Sequence, residues 1–408
     1  MHFDDPIMAT SAHADSLSLH PARRAAIACA VVLAVALGVG RFAFTPLLPL
    51  MLKSGALDIR HGGWLASANY AGYLIGALSC AAIRVEHARM VRLALASTIV
   101  LTLAMGLTDA FALWAAIRFA AGVVSAWAFV FASQWGLRRL AELDAHALAG
   151  IIYAGPGVGI LSTGLVGAAA AALDVAAPWV WMAFAACSGV AGAFVWKAFM
   201  GDAPAAQARA AAPNRAASTS AHADAVWLVA LYGLAGFGYI ITATFLPVIA
   251  RQALPGSSWP DLFWPAFGLA LVAGALIAAR LPLAWDNRRL LAACYVIQAS
   301  GIVLGIVCPT APGLGIGSIL LGLPFTAITL FAMREARRLR GDAAAALMGY
   351  ATGAYGMGQI AGPLVAAPIA AHSGSFSAGL WIAVAALAIG AAGLAWLGWR
   401  GDAHASSA

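Results

Sequence analysis

Residues 38–51 read GVGRFAFTPLLPLM and residues 236–247 read GFGYIITATFLP. Laid over one another at an offset of 198, Gly38, Gly40 and Pro49 fall on Gly236, Gly238 and Pro247. The same offset lays Gly76 and Ala77 on Gly274 and Ala275. An offset of 200 lays Gly122, Phe131 and Arg138 on Gly322, Phe331 and Arg338, and one of 207 lays Gly155-Pro156 on Gly362-Pro363. Any one of these matches is weak where glycine and alanine abound, but four in chain order describe a duplicated chain. Duplicated halves related by an axis along a membrane normal place a solute site between them, near mid-membrane.

Both quoted stretches lie inside long apolar runs. Of the 408 residues 63% are hydrophobic and only 10% charged, and the mean hydropathy is +0.88. Such a chain cannot cover a soluble surface, so the bilayer is its solvent. Runs long enough to span occur at 25–52, 63–83, 90–108, 110–136, 146–172, 177–199, 226–250, 262–281, 290–308, 313–333, 344–371 and 377–399, each close to the ~20 residues a bilayer needs. The fold class expected is all-α integral membrane, with twelve helices in two six-helix pseudo-repeats. The organisation expected is a tail over 1–24, a first half over 25–200, a linker over 201–225 rich in Ala, Pro and Ser, a second half over 226–400 and a short tail over 401–408.

Charge sets the orientation. Distributing the loops alternately places 18 of the 23 Lys and Arg residues on one side, only Lys53, Arg60 and Arg251 on the other, and Arg41 and Arg118 within spans. The positive-inside rule then puts both termini in the cytoplasm of a bacterial cell, with the spans in its inner membrane. One span missed or invented would reverse every later loop and destroy the bias, so the bias supports the count of twelve. The tail carries Asp4, Asp5 and Asp15 and lacks the basic start of a secretory signal, so the first run is expected to stay uncleaved. The net charge of +7 is accounted for by these loops, and no nucleic-acid partner is expected.

Two intramembrane arginines are the main candidates for function. A charge at a helix centre costs roughly 2.5–3.5 kcal/mol on insertion scales, so Arg41 in the first helix and Arg118 in the fourth require compensation. One reading is an anion site, because a guanidinium matches a carboxylate or phosphate in a bidentate pair. The competing reading is that each arginine satisfies backbone carbonyls at a broken helix, with Pro46 and Pro49 close to Arg41. Asn69, Tyr70 and Tyr73 share a face of the second helix with Gly72 and Gly76. Thr352, Tyr355 and Gln359 recur at helical spacing in the eleventh, and Tyr239 occupies the place of Arg41 in the second half. These polar stripes line a cavity or bond neighbouring helices. Gly72, Gly76 and Gly122 would allow close backbone approach, and Gly155-Pro156 and Gly362-Pro363 would weaken the fifth and eleventh helices where bending is useful.

No other chemistry is evident. The nine histidines fall in tails, loops or span ends, and the five cysteines show no C-x-x-C spacing, so neither a metal site nor a cofactor is expected. No carboxylate is expected inside a span; protons remain a candidate coupling ion through an edge residue such as Asp109 or Asp261, or through a protonatable solute. An enzyme would need intramembrane acid, base or metal groups that are missing.

GVGRFAFTPLLPLM in the first helix, together with GWLASANYAGYLIGAL at 63–78 in the second, resembles the YbfB/YjiJ-type branch of the major facilitator superfamily. Arg118-Phe-Ala-Ala-Gly122 is similar to the superfamily's R-x-x-x-G pattern, and Gly155-Pro156-x-x-Gly159 is similar to the glycine-proline motif of its proton-linked exporters. The loop between the second and third helices departs from the family, offering Glu86, Arg89 and Arg92 without the usual Asp-G-R-R spacing. The resemblance implies a monomeric secondary transporter of a small solute working by alternating access, with the first, fourth, seventh and tenth helices lining the cavity. It names no cargo. An organic anion, a cationic or neutral compound exported by a multidrug-type carrier, and a sensor without flux are all compatible with it.

Overall fold

The computed structural model describes residues 21–200, 219–282, 284–341 and 344–405. The expected tail over 1–20 and most of the expected linker, 201–218, lie outside the described residues. Among the described residues twelve long helices follow one another: α1 Pro21–Lys53, α2 Ile59–Ser79, α3 His87–Gly106, α4 Phe111–Glu142, α5 His146–Ala172, α6 Ala177–Phe199, α7 Thr219–Ala253, α8 Pro260–Ala278, α9 Asn287–Val307, α10 Ala311–Arg340, α11 Ala344–Ser373 and α12 Ser377–Ala405. Ten are apolar and long enough to cross a membrane; the other two are α2 and α11. Those two carry the polar stripes, and they meet each other across the molecule, so their polarity is turned inward and away from lipid.

Several boundaries differ from expectation. α7 begins at Thr219, ahead of the expected 226, and α12 continues to Ala405. α10 runs on to Arg340. Its last turns are amphipathic, burying Glu335 and Ala336 on one side while Arg337 projects outward. Asp58 caps the start of α2, its side chain accepting from the His61 N–H at 2.7 Å. That bond holds the Asp58 carboxyl below its usual range.

The duplication seen in the sequence recurs in the packing. Gly72 and Gly122 bring α2 and α4 together so closely that a Cβ on either would collide with the other's backbone, at Phe119 and Asn69. Gly274 and Gly322 do the same for α8 and α10, against Leu323 and Phe267. Gly155 of α5 abuts Ala30 of α1, as Gly362 of α11 abuts Ile240 of α7. Both Gly-Pro pairs lie inside continuous helices. Without a hydrophobic force between helices in lipid, such backbone approach supplies the van der Waals contact that assembles each half.

The halves meet through α2 against α11 and α5 against α8. Ser67 Oγ donates to the Ile360 carbonyl at 2.9 Å, and Gly164 lies on Pro265. On the relating axis, Thr45 Oγ1 donates to the Ala243 carbonyl at 3.3 Å. These residues are themselves equivalent at the offset of 198, so the pseudo-two-fold axis passes between them.

Candidate functional site

α1 is broken in mid-course. Residues Ala34–Val39 form a π-helical turn, and regular helix resumes only at Phe44. The Gly40 N–H reaches the Val35 carbonyl at 2.9 Å, and the Phe42 N–H reaches Leu37 at 3.0 Å. The wide turn leaves the carbonyls of Gly40 and Arg41 free to accept from outside the helix. Arg118, two turns into α4, donates to both, at 3.1 Å to Gly40 and 2.9 Å to Arg41. Its guanidinium carbon also stands 5.0 Å from the Phe44 ring centroid. Asn69 in turn donates to the Arg118 carbonyl at 2.8 Å. Arg118 and Asn69 therefore act on the backbone, as the competing reading of the sequence allowed.

The side chain of Arg41 is sent the other way, across the interface between halves. It is 5% exposed and donates to Gln359 Oε1 of α11 at 2.9 Å. Gln359 Nε2 donates to the Tyr239 hydroxyl of α7. The guanidinium lies 4.0 Å from the Tyr73 ring centroid and 5.2 Å from those of Tyr70 and Phe42. Tyr239 stacks on Tyr355 at 5.8 Å, and Tyr355 on Tyr232 at 4.5 Å. The Tyr70 hydroxyl bonds Thr244 Oγ1 at 2.9 Å. Six expected residues, Arg41, Tyr70, Tyr73, Tyr239, Tyr355 and Gln359, are thus gathered in one cluster drawn from both halves.

Among the described residues no carboxylate pairs with Arg41 or Arg118, and the buried Nε of each makes no hydrogen bond. Desolvated cation–π contacts contribute ~2 kcal/mol, which offsets part of the burial cost of Arg41 while leaving its charge uncompensated. Aromatic groups complete the enclosure. Phe42 packs against Trp264 at 6.2 Å and Phe325 at 6.1 Å, and Phe325 lies edge-on to Tyr239 at 5.1 Å. Phe325 opens the second segment of α10, directly after Pro324 interrupts that helix.

The sequence reading missed Tyr232, Thr244, Trp264 and Phe325. Tyr232 lies two turns before Tyr239 on the same face, a spacing that could have revealed it. Nothing local distinguishes the others from lipid-facing residues.

The expectation that no acid is buried in a span is corrected. Glu335, 1% exposed, lies inside α10 and bonds Arg288 Nε at 2.6 Å, while Arg338 holds it through two contacts at 2.7 and 2.8 Å. Arg288 also reaches Asp224 at 2.6 Å and the Leu397 carbonyl at 2.8 Å. This cluster joins α7, α9, α10 and α12 at the end of the molecule where α9 begins and α10 ends, remote from Arg41. Asp261, a candidate for proton coupling, is ion-paired with Arg251. No group of three or more metal-ligating side chains occurs among the described residues.

Comparisons with known proteins agree with this architecture. A family profile described as "Uncharacterised MFS-type transporter YbfB" matches residues 33–395. No curated protein sequence matches. Among solved structures, that of a point mutant of the nucleoside transporter NupG superposes with a TM-score of 0.72 at 12% identity, covering 91% of this chain and 98% of that one. A D-xylose–proton symporter superposes with a TM-score of 0.68, also at 12% identity, covering 91% and 96%. At such identity these likenesses speak for the fold alone. With the profile spanning most of its length, the chain belongs to the YbfB family of major facilitator-type transporters and is a multi-pass membrane transporter of a small solute.

Proposed function

We propose that the chain is a secondary active transporter that binds a small organic anion at Arg41 and carries it by alternating access across the inner membrane of a bacterium, with both termini in the cytoplasm. One observation carries the reading: a guanidinium buried between the halves, in contact with aromatic rings and an amide, with no carboxylate of the described residues beside it. An anionic solute supplies the missing charge and a bidentate partner. Arg118 and Asn69 are positioning residues that hold the broken turn from which Arg41 projects. Tyr73 and Tyr355, each half-buried, surround the guanidinium with aromatic surface, which favours anions with a planar or apolar portion. The basic loops support the orientation through the positive-inside rule.

The test is a thermal-shift screen of detergent-purified protein against small organic anions, cations and neutral solutes, with Arg41→Ala alongside. Stabilisation by anions that disappears in the variant is expected, followed by counterflow of the same anion in vesicles. Stabilisation by cationic or neutral compounds that survives in the variant overturns the anion reading in favour of a multidrug-type carrier. Binding without counterflow overturns transport by this chain.

A further inference from the structure

At the end of the molecule where α1 begins, α1, α4 and α6 leave an open groove of about 940 Å³ between them. Its rim carries Arg24, Arg138, Arg139 and Lys197 against a single acid, Glu142. Glu142 is engaged by Arg139 at 2.9 Å and Arg138 at 3.4 Å. No carboxylate among the described residues pairs with Arg24 or Lys197, both exposed. Below the rim the wall is apolar: Ile27 is 53% and Phe194 84% exposed, and both face outward from a span.

The other half shows what is missing here. At the offsets that relate the halves, Arg338 corresponds to Arg138, while Glu335 and Asp224 correspond to Trp135 and Ala26. In the second half Arg338 is thus held by the buried Glu335, and Arg288 by Glu335 and the half-buried Asp224. In the first half those two positions hold an aromatic ring and a methyl group, Arg138 and Arg139 share Glu142, and Arg24 and Lys197 stand beside lipid-facing apolar residues.

We propose that this groove binds an anionic glycerophospholipid, its phosphate between Arg24, Lys197 and the Arg138–Arg139 pair and an acyl chain along Ile27 and Phe194. Charge complementarity and the apolar wall argue together for an amphiphile, since a soluble anion gains nothing from the wall and a zwitterionic lipid little from the rim. Clustered basic residues at the cytoplasmic end of membrane helices attract anionic headgroups near the surface.

The experiment is delipidation in detergent, followed by thermal unfolding with added phosphatidylglycerol, phosphatidylcholine or inorganic phosphate. It uses the full chain, an Arg24→Gln/Lys197→Gln variant and a chain lacking residues 2–20. Native mass spectrometry of the intact protein is run in parallel. Phosphatidylglycerol is expected to raise the Tm by a few degrees at concentrations ~100-fold above its Kd, with one retained lipid in the mass spectrum. Both effects should fall at least threefold in the double variant and persist in the truncated chain. Equal stabilisation by phosphatidylcholine, stabilisation by inorganic phosphate alone, or an undiminished response in the variant overturns the proposal. A response that appears only after truncation also overturns it, by making the acidic amino-terminal residues the occupant. Should the double variant not be recovered folded, absence of a retained anionic lipid in the mass spectrum of the wild-type chain overturns it.

Discussion

Arg41 and Arg118 share a chemistry and differ in what they satisfy. Arg118 supplies hydrogen bonds to two carbonyls that the broken turn of α1 cannot satisfy itself. Arg41 is a buried charge whose contacts are one amide oxygen and three rings. Methionine at each position therefore separates the two. Arg118→Met leaves two buried acceptors unpaired at ~1–3 kcal/mol each, and the ligand-free protein should melt several degrees lower. Arg41→Met keeps a similar length and removes an uncompensated charge, so on the proposed role its ligand-free Tm should equal or exceed that of the wild type, stability having been given up for binding. Thermal unfolding of both variants without ligand is the check; a matching loss in the two would make Arg41 structural as well. This distinction was only half legible in the sequence. Helical spacing could bring Tyr70, Tyr73, Tyr355 and Gln359 onto facing stripes, and the duplication could place Tyr239 opposite Arg41. Whether an intramembrane arginine serves backbone or ligand depends on where a neighbouring helix breaks, and a π-turn has no signature beyond the glycines at 38 and 40.

At the scale of the element, helix ends are where sequence and structure part. The apolar run of α10 stops near 333, and the arginines that follow read as a loop. The helix nevertheless continues because Glu335 is held inside by Arg288 and Arg338. The rest of each element follows from glycine spacing, which fixes α2 on α4 and α8 on α10. Removing one member of a buried ion pair costs ~3–5 kcal/mol, whereas replacing the whole pair by apolar groups is often neutral. Glu335→Gln should accordingly lower the Tm markedly by leaving Arg288 with Asp224 alone and Arg338 without its carboxylate. A Glu335→Leu/Arg288→Met double variant should recover a good part of the loss. Unfolding of detergent-purified variants tests this, and a wild-type Tm for Glu335→Gln would show that the cluster contributes little to joining α7, α9, α10 and α12.

For the molecule as a whole, contact between the halves is not even along the interface. Near the start of α2, Gly63 lies against Ala367 and Pro363 of α11, and at the axis Thr45 bonds Ala243. Toward the opposite end of α11, Gly349 and Gly353 face open space, and Tyr350 is 72% exposed. The structure is thus closed beyond Arg41 on the side away from the basic loops and looser on the side that carries them. On the proposed mechanism the closed side must part in another state, because a solute bound at Arg41 has to be reached from both faces. A Gly63→Cys/Ala367→Cys pair in a chain with its native cysteines replaced tests this requirement. The built Cβ of Gly63 stands 2.6 Å from that of Ala367, within reach of disulfide geometry after a small outward shift. Oxidation should stop counterflow at least tenfold, and reduction should restore it, while binding of the anion from the looser side survives. Full counterflow with the disulfide formed would mean that α2 and α11 need not separate there, and the opening would have to lie between α1 and α7 or α5 and α8.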